Sequence, residues 1–238
     1  MAPRKYLLTN GNRELAKDGV FTWTLPALSA RLSSSEIFVT CPNAGVCAKL
    51  CYARSGTFNF SNVKKAHTAK LEMLLDDLEG WKAQMLDELT AKRYRGGKYV
   101  RIHDSGDFFS VDYFDAWVQI AKQTPDVVFY AYTKEVQMVK NYGLLPSNFV
   151  IIFSMGGKQD NLVDKEVDRH ADVFPTLEAL ESAGYSDQGE SDILAVTLPN
   201  NKVGIVVNNI PHLKKKQGTA TFGSLQAERD ERLLKSRQ

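Results

Sequence analysis

Lys98-Tyr99-Val100-Arg101-Ile102-His103-Asp104-Ser105-Gly106-Asp107 is an aromatic and β-branched run that ends in a small polar loop. A helical pattern opened by Ser110 follows it, with Val111, Phe114, Val118 and Ala121 predicted to face inward. The same unit then recurs. Val127 to Tyr132 reads as a strand, Thr133 caps a short helix that Gly143 ends, and Asn148 to Phe153 is a strand closed by Ser154-Met155-Gly156-Gly157. Strands separated by helix-length stretches require crossover connections, which predicts an α/β fold with a mostly parallel sheet, either open or closed into a full or partial barrel.

Working outward, Glu36-Ile37-Phe38-Val39-Thr40 reads as an earlier strand. Leu71, Leu74, Leu75, Leu78, Met85 and Leu89 recur at helical spacing, with Gly80 weakening the middle and Gly96-Gly97 marking the stop. Downstream, Leu162 to His170 and Thr176 to Ala183 read as charged amphipathic segments. Ile193 to Leu198 and Val203 to Val207 read as strands joined by a hairpin at Pro199-Asn200-Asn201-Lys202. The expected organisation is one α/β domain over residues 1–213. A charged tail over 214–238 follows, helical from Ser224 to Leu234 and without a hydrophobic stripe to dock it.

With 238 residues and 43% hydrophobic content, the chain can bury a large core. A formal charge of +2 is too balanced for a general affinity for nucleic acid or anionic membrane, so a polyanionic partner needs a local patch. Lys214-Lys215-Lys216, with the tail to Arg237, is a candidate stretch, and its three lysines offer only a few phosphate contacts. Met1 to Thr9 reaches polar residues too soon for a signal peptide, and no apolar run approaches membrane-spanning length. A cytoplasmic location is therefore expected, where a structural disulfide is disfavoured.

All three cysteines fall in Cys41-Pro42-Asn43-Ala44-Gly45-Val46-Cys47-Ala48-Lys49-Leu50-Cys51, spaced C-x5-C-x3-C. Thiolates are soft ligands, and clustering all of them in one loop points to a metal or cluster site. Two metals satisfy that spacing. A 4Fe-4S cluster held by three thiolates keeps one iron open, whereas a zinc site needs a fourth ligand from His67, His103, His170 or His212. Parallel folds place ligands at the carboxyl ends of strands, which draws in His103 and the polar exits around Ser105 and Ser154. Strand alternation puts Arg101 and His103 on one face, predicted to look into the barrel or cleft. Ser154-Met155-Gly156-Gly157-Lys158 does not have the spacing of a phosphate loop.

Three motifs taken together, Cys41 to Ala53, Arg101 to Phe108 and Tyr130 to Lys134, resemble the bacteriophage gene product 88 family. That family in turn resembles a divergent branch of the radical SAM superfamily. The resemblance implies a partial (β/α) barrel of radical SAM type with mostly parallel strands, an unknown substrate, and a host reductant protein as electron donor in the host cytoplasm. It implies that Cys41, Cys47 and Cys51 hold a 4Fe-4S cluster whose open iron chelates S-adenosylmethionine, yielding a 5'-deoxyadenosyl radical. Ser105, Gly106 and Asp107 then correspond to the element that contacts the methionine amino group, Ser154 to a ribose contact, and Tyr52 to the adenine neighbour. His103 and Lys134 are the catalytic candidates. The superfamily's usual spacing is C-x3-C-x2-C, with an aromatic residue where Leu50 stands and Glu where Asp107 stands. The alternative expectation is a zinc-stabilised, non-enzymatic phage accessory protein that contacts nucleic acid through its tail.

Overall fold

Short apolar runs covered on both faces make parallel strands, and this chain supplies them in succession. The computed structural model describes residues 6–11, 13–90 and 99–236. The Gly96-Gly97 stop, Lys98 at the start of the quoted strand, Met1 to Lys5 and the last tail residues, Arg237 included, lie outside the described residues.

The chain begins with β1 (Thr9–Asn10), α1 (Arg13–Lys17) and β2 (Val20–Trp23), then forms β3 (Ser29–Arg31) and β4 (Ile37–Val39). The cysteine loop contains a short helix, α2 (Cys47–Leu50), and leads into α3 (Ser61–Asp76) and α4 (Leu78–Thr90). Next come β5 (Tyr99–Ile102), α5 (Val111–Gln123), β6 (Val128–Thr133), α6 (Val136–Tyr142), β7 (Phe149–Ser154) and β8 (His170–Phe174). The last elements are α7 (Leu177–Ser182), β9 (Ser186–Asp187), α8 (Leu194–Thr197), β10 (Lys202–Val206), α9 (Pro211–Gln217) and α10 (Phe222–Lys235).

The main sheet has eight strands in the order β1-β2-β5-β6-β7-β8-β10-β9, and it does not close into a barrel. Every neighbouring pair is parallel except β1 with β2. The predicted α/β class with mostly parallel strands therefore stands. Alternation along the strands sorts the side chains into two layers. Val100, Ile102, Phe129 and Ala131 pack with Trp81, Tyr113, Phe114 and Trp117 on the α4 and α5 side, while Val20, Tyr130, Ile152, Ala171 and Val203 pack with Ala195 of α8 on the other. Each large apolar side chain buried this way contributes about 2 kcal/mol. Ser110 caps α5 as predicted, accepting from the Tyr113 N–H at 3.2 Å.

Several expectations are corrected. Ile193 to Leu198 is helical rather than extended, because a short apolar run fits either state and tertiary contacts decide. Arg169 donates from Nε to the Ala195 carbonyl at 2.6 Å and from Nη2 to the Leu198 carbonyl at 2.7 Å, binding the carbonyls that a short helix leaves open. No hairpin forms at Pro199 to Lys202, since β10 runs parallel to β8. Of Leu162 to His170, only Asp160–Leu162 makes a turn of 3-10 helix, and His170 opens β8. Val111 is exposed rather than inward, since it stands at the first position of α5 and burial in that turn begins at Tyr113 and Phe114. The long helix breaks at Asp77, not at Gly80, and the Asp77 carboxylate accepts from the Gly80 N–H at 2.8 Å.

Two corrections bear on the site. The Glu36 to Thr40 strand pairs only with β3, in a separate two-stranded antiparallel sheet, so the parallel strand preceding the cysteines is β2. The tail also docks without an apolar stripe. Asp172 accepts from the Gly223 N–H at 3.1 Å, and the buried Gln226 side chain accepts from the Val46 N–H in the cysteine loop at 2.8 Å. Among the described residues, no helix is long and apolar enough to cross a membrane.

Candidate metal centre

The loop after β5 is joined to the loop after β2 by reciprocal bonds. The Leu25 N–H donates to the Ser105 carbonyl at 3.0 Å, and Ser105 Oγ donates to the Leu25 carbonyl at 2.6 Å. Gly106 sits between them at φ 91°, where a Cβ would lie 2.7 Å from Leu25 Cβ, so only glycine fits. Asp107 extends the seam on both sides. Its N–H donates to the Thr40 carbonyl at 3.0 Å, just before Cys41. Its carboxylate accepts from Thr133 Oγ1 at 2.6 Å, the Phe108 N–H at 2.8 Å and the Lys134 N–H at 3.0 Å. Burial pushes the Asp107 pKa up, and these hydrogen bonds oppose the rise.

The cysteine loop is held by other strand exits. The Cys47 N–H donates to the Gly156 carbonyl at 3.1 Å and the Lys158 N–H to the Asn43 carbonyl at 2.9 Å. Glu135 accepts from the Asn43 backbone N–H at 3.2 Å and from its side-chain amide at 2.6 Å. This arrangement brings the three cysteines to the carboxyl ends of β5, β6 and β7, beside a cavity of about 470 Å³. All ten predicted site residues line it: Cys41, Cys47, Cys51, Tyr52, His103, Ser105, Gly106, Asp107, Lys134 and Ser154.

Their orientations differ from the expectation in places. His103 adopts φ 67°, which breaks strand alternation and turns its ring to the α5 side, away from Arg101. There Nε2 lies 2.7 Å from Tyr113 Oη, the ring packs edge-on against Phe108, and burial pushes its pKa down to about 3. It is thus a neutral, enclosed imidazole. Tyr52 Oη donates to the Asp104 carbonyl, and Lys134 Nζ donates to Ser154 Oγ at 2.7 Å. Ser105 and Asp107 direct their polar atoms at the protein, as in a strand-to-helix turn.

Arg101, predicted to look into the cleft, does line the cavity, but two of its neighbours there, Asp192 and Gln188, had no signal in the sequence. Arg101 Nη1 meets Asp192 at 3.1 Å, its guanidinium lies 5.1 Å from the centre of the Tyr132 ring, and Tyr132 Oη donates to Gln188 at 2.8 Å. Asp192 and Gln188 come from a stretch with no motif, delivered only by the sheet order.

The thiols are free, part-buried and in one cavity. Burial, then the Asp107 charge, pushes Cys41 up to about 12, opposed by the Leu28 N–H on its sulfur at 3.3 Å. Burial, then Cys47, pushes Cys51 up to about 11. Sulfurs so placed ionise when a cationic centre supplies the compensating charge, so the donor set fits a metal group. Among the described residues, no three or more His, Cys, Asp or Glu side chains group as ligands of a single metal ion. The histidines have other neighbours, and the buried His103 Nδ1 has no hydrogen-bond partner among the described residues. His103 holds Tyr113, His170 lies between the Asp168 carbonyl and Tyr185 Oη, His212 contacts Ser55 and His67 packs on Phe58. A cluster asks less of the loop, because each thiolate binds a different iron and the sulfurs need not meet at one point.

The clamp at Asn43 titrates in an accessible range. Burial raises Glu135 from 4.5 to about 7, so the fold favours its protonated form. The resulting stability is complete below pH 4.5 and is lost as pH rises through 7. Relative to Glu135→Gln, the wild-type chain is expected to gain about 1 kcal/mol between pH 7.5 and 5, after allowance for solvent screening. Thermal unfolding of both chains across that range measures it, and parallel curves would contradict it.

Lys214, Lys215 and Lys216 are exposed on α9, but α10 interleaves Glu228, Asp230 and Glu231 with Arg229, Arg232 and Lys235.

The family described as Gene product 88 matches residues 6–237. A protein named Gene 88 protein from Mycobacterium phage L5 is 37% identical over 119 residues, covering 45% of this chain and 48% of the relative. The chain thus spans about half the length of that relative. A second Gene 88 protein, from Mycobacterium phage D29, is 31% identical over 175 residues, covering 63% of this chain and 71% of the relative. No solved structure matches.

Proposed function

The chain belongs to the Gene product 88 family, and from that premise we propose that it is a radical SAM-like enzyme. In this reading it binds a 4Fe-4S cluster and S-adenosylmethionine to generate a 5'-deoxyadenosyl radical that acts on an unknown substrate. The observation that carries the reading is that all three cysteines, in a loop tied to several strand exits, line one cavity at the carboxyl ends of a parallel sheet. Chain order adds support: β2, β5, β6, β7, β8 and β10 lie side by side in sequence order and the cysteine loop follows the first of them, as a partial barrel of radical SAM type requires.

Cys41, Cys47 and Cys51 would hold the cluster, which when bound supplies the electron for cleaving the sulfonium of S-adenosylmethionine. The chain's own residues build the surroundings. Asp107 fixes the positions of Thr133 and Lys134, and Ser154 faces the cavity next to Lys134. Tyr52, docked on Asp104, walls the cavity beside Cys51. A space of about 470 Å³ accommodates a small ligand.

The test is direct. Full-length protein purified without oxygen is expected to carry iron and acid-labile sulfide, and to release 5'-deoxyadenosine when given S-adenosylmethionine and a strong reductant. Zinc without iron in that preparation would sink the cluster assignment and favour the structural-zinc reading.

A further inference from the structure

Lys134 follows β6 directly and is buried in the cavity wall. Its Nζ lies 2.7 Å from Ser154 Oγ, 2.9 Å from the Ser154 carbonyl and 3.2 Å from the Met155 carbonyl. Three oxygen neighbours match in number the three N–H bonds of an ammonium, and no carboxylate is among them. Asp107 and Asp160 feel this charge through space, but their oxygens are engaged by other donors: Thr133 and backbone N–H groups for Asp107, the Gly156 and Gly157 N–H groups for Asp160. No salt bridge to Lys134 forms among the described residues.

A buried cation without an ion pair is costly, yet the fold is shaped to keep this one. A Cβ on Gly157 would lie 3.0 Å from Lys134 Cβ and Cγ and 3.1 Å from Cδ, so glycine lets the stem run straight to its acceptors. Arg101 is the other described cation of the lining, and Asp192 matches it at 3.1 Å. Three thiolates would bring negative charge into this same cavity, whose lining Lys134 shares with Cys41, Cys47 and Cys51.

We propose that the Lys134 ammonium is a fixed countercharge for the cysteine-bound cluster, raising its reduction potential through its field. This rests on the cluster reading above. It gives Lys134 a positioning and charge-balancing role in place of direct chemistry, since its donors are all engaged and cluster potentials respond to nearby charge.

The experiment is a redox titration of the anaerobic full-length chain, followed by the spectrum of the reduced cluster and by iron content. At the wild-type midpoint, Lys134→Met is expected to retain iron while its reduced fraction falls at least about threefold, and Lys134→Arg to stay close to wild type. Ser154→Asp provides a second arm that keeps the lysine stem and sets a carboxylate against its charge, with a fall in the same direction. Should Lys134→Met lose its iron, the Ser154→Asp titration decides alone. Wild-type curves from iron-loaded Lys134→Met and Ser154→Asp would overturn the countercharge role and leave the cluster reading intact. Wild-type protein without iron would instead remove the cluster reading on which the inference depends.

Discussion

Cys47→Ala is expected to lose essentially all cluster iron while remaining folded. Cys47 is only part-buried, and the bond that places it runs from its backbone N–H to the Gly156 carbonyl at 3.1 Å, which alanine preserves. Gln226 still accepts from the Val46 N–H, and Glu135 still holds Asn43, so the loop keeps its path. The substitution therefore removes a ligand and little else. Changes next to metal ligands already weaken binding by about 10–100-fold, and deleting a ligand exceeds that. Iron and sulfide per chain after anaerobic purification measure the loss, and circular dichroism checks the fold. Iron equal to wild type in this variant would show that the loop does not bind the cluster.

Much of this architecture is readable in the chain because local signals and tertiary context agree there. Val127 to Tyr132 and Asn148 to Phe153 are strongly β-forming and buried on both faces, and both strands fall within one or two residues of expectation. The cysteine cluster and the polar strand exits were also legible, since in a parallel sheet the exits share one end. What failed were short runs whose state depends on distant partners. Ile193 to Leu198 has strand composition, but Arg169 binds its last carbonyls and makes it helical. The tail has no apolar stripe, yet Gln226 docks through a single amide to Val46, a contact between residues 180 apart in sequence. His103 obeys alternation in sequence and departs from it in space, because one positive φ reverses the side-chain direction. In the wall of Arg101, Asp192, Tyr132 and Gln188, alternation placed Arg101 toward the cleft, but its neighbours Asp192 and Gln188 were hidden for the same reason as the tail. Its members come together only once the sheet order is known.

Asp107→Ala is expected to destabilise the chain by about 3–5 kcal/mol, enough to unfold a marginal domain at moderate temperature. The carboxylate is buried and accepts from Thr133 Oγ1, the Phe108 N–H and the Lys134 N–H, so alanine leaves three buried donors without an acceptor. Each abandoned group costs about 1–3 kcal/mol, less whatever water entering from the adjacent cavity restores. Asp107→Asn separates shape from acceptor count. It matches the size and keeps one oxygen for Thr133 and Phe108, but places an amide N–H₂ toward the Lys134 N–H, so it should fall between alanine and wild type. Denaturant unfolding of the three proteins orders them. If Asp107→Ala is as stable as wild type, the carboxylate does not hold the β5 and β6 exits together, and its polar atoms become available to a ligand. The same substitution frees the residue that precedes the Lys134 stem's entry into the cavity wall, so loss of stability should be accompanied by loss of cluster retention even at temperatures where the chain stays folded.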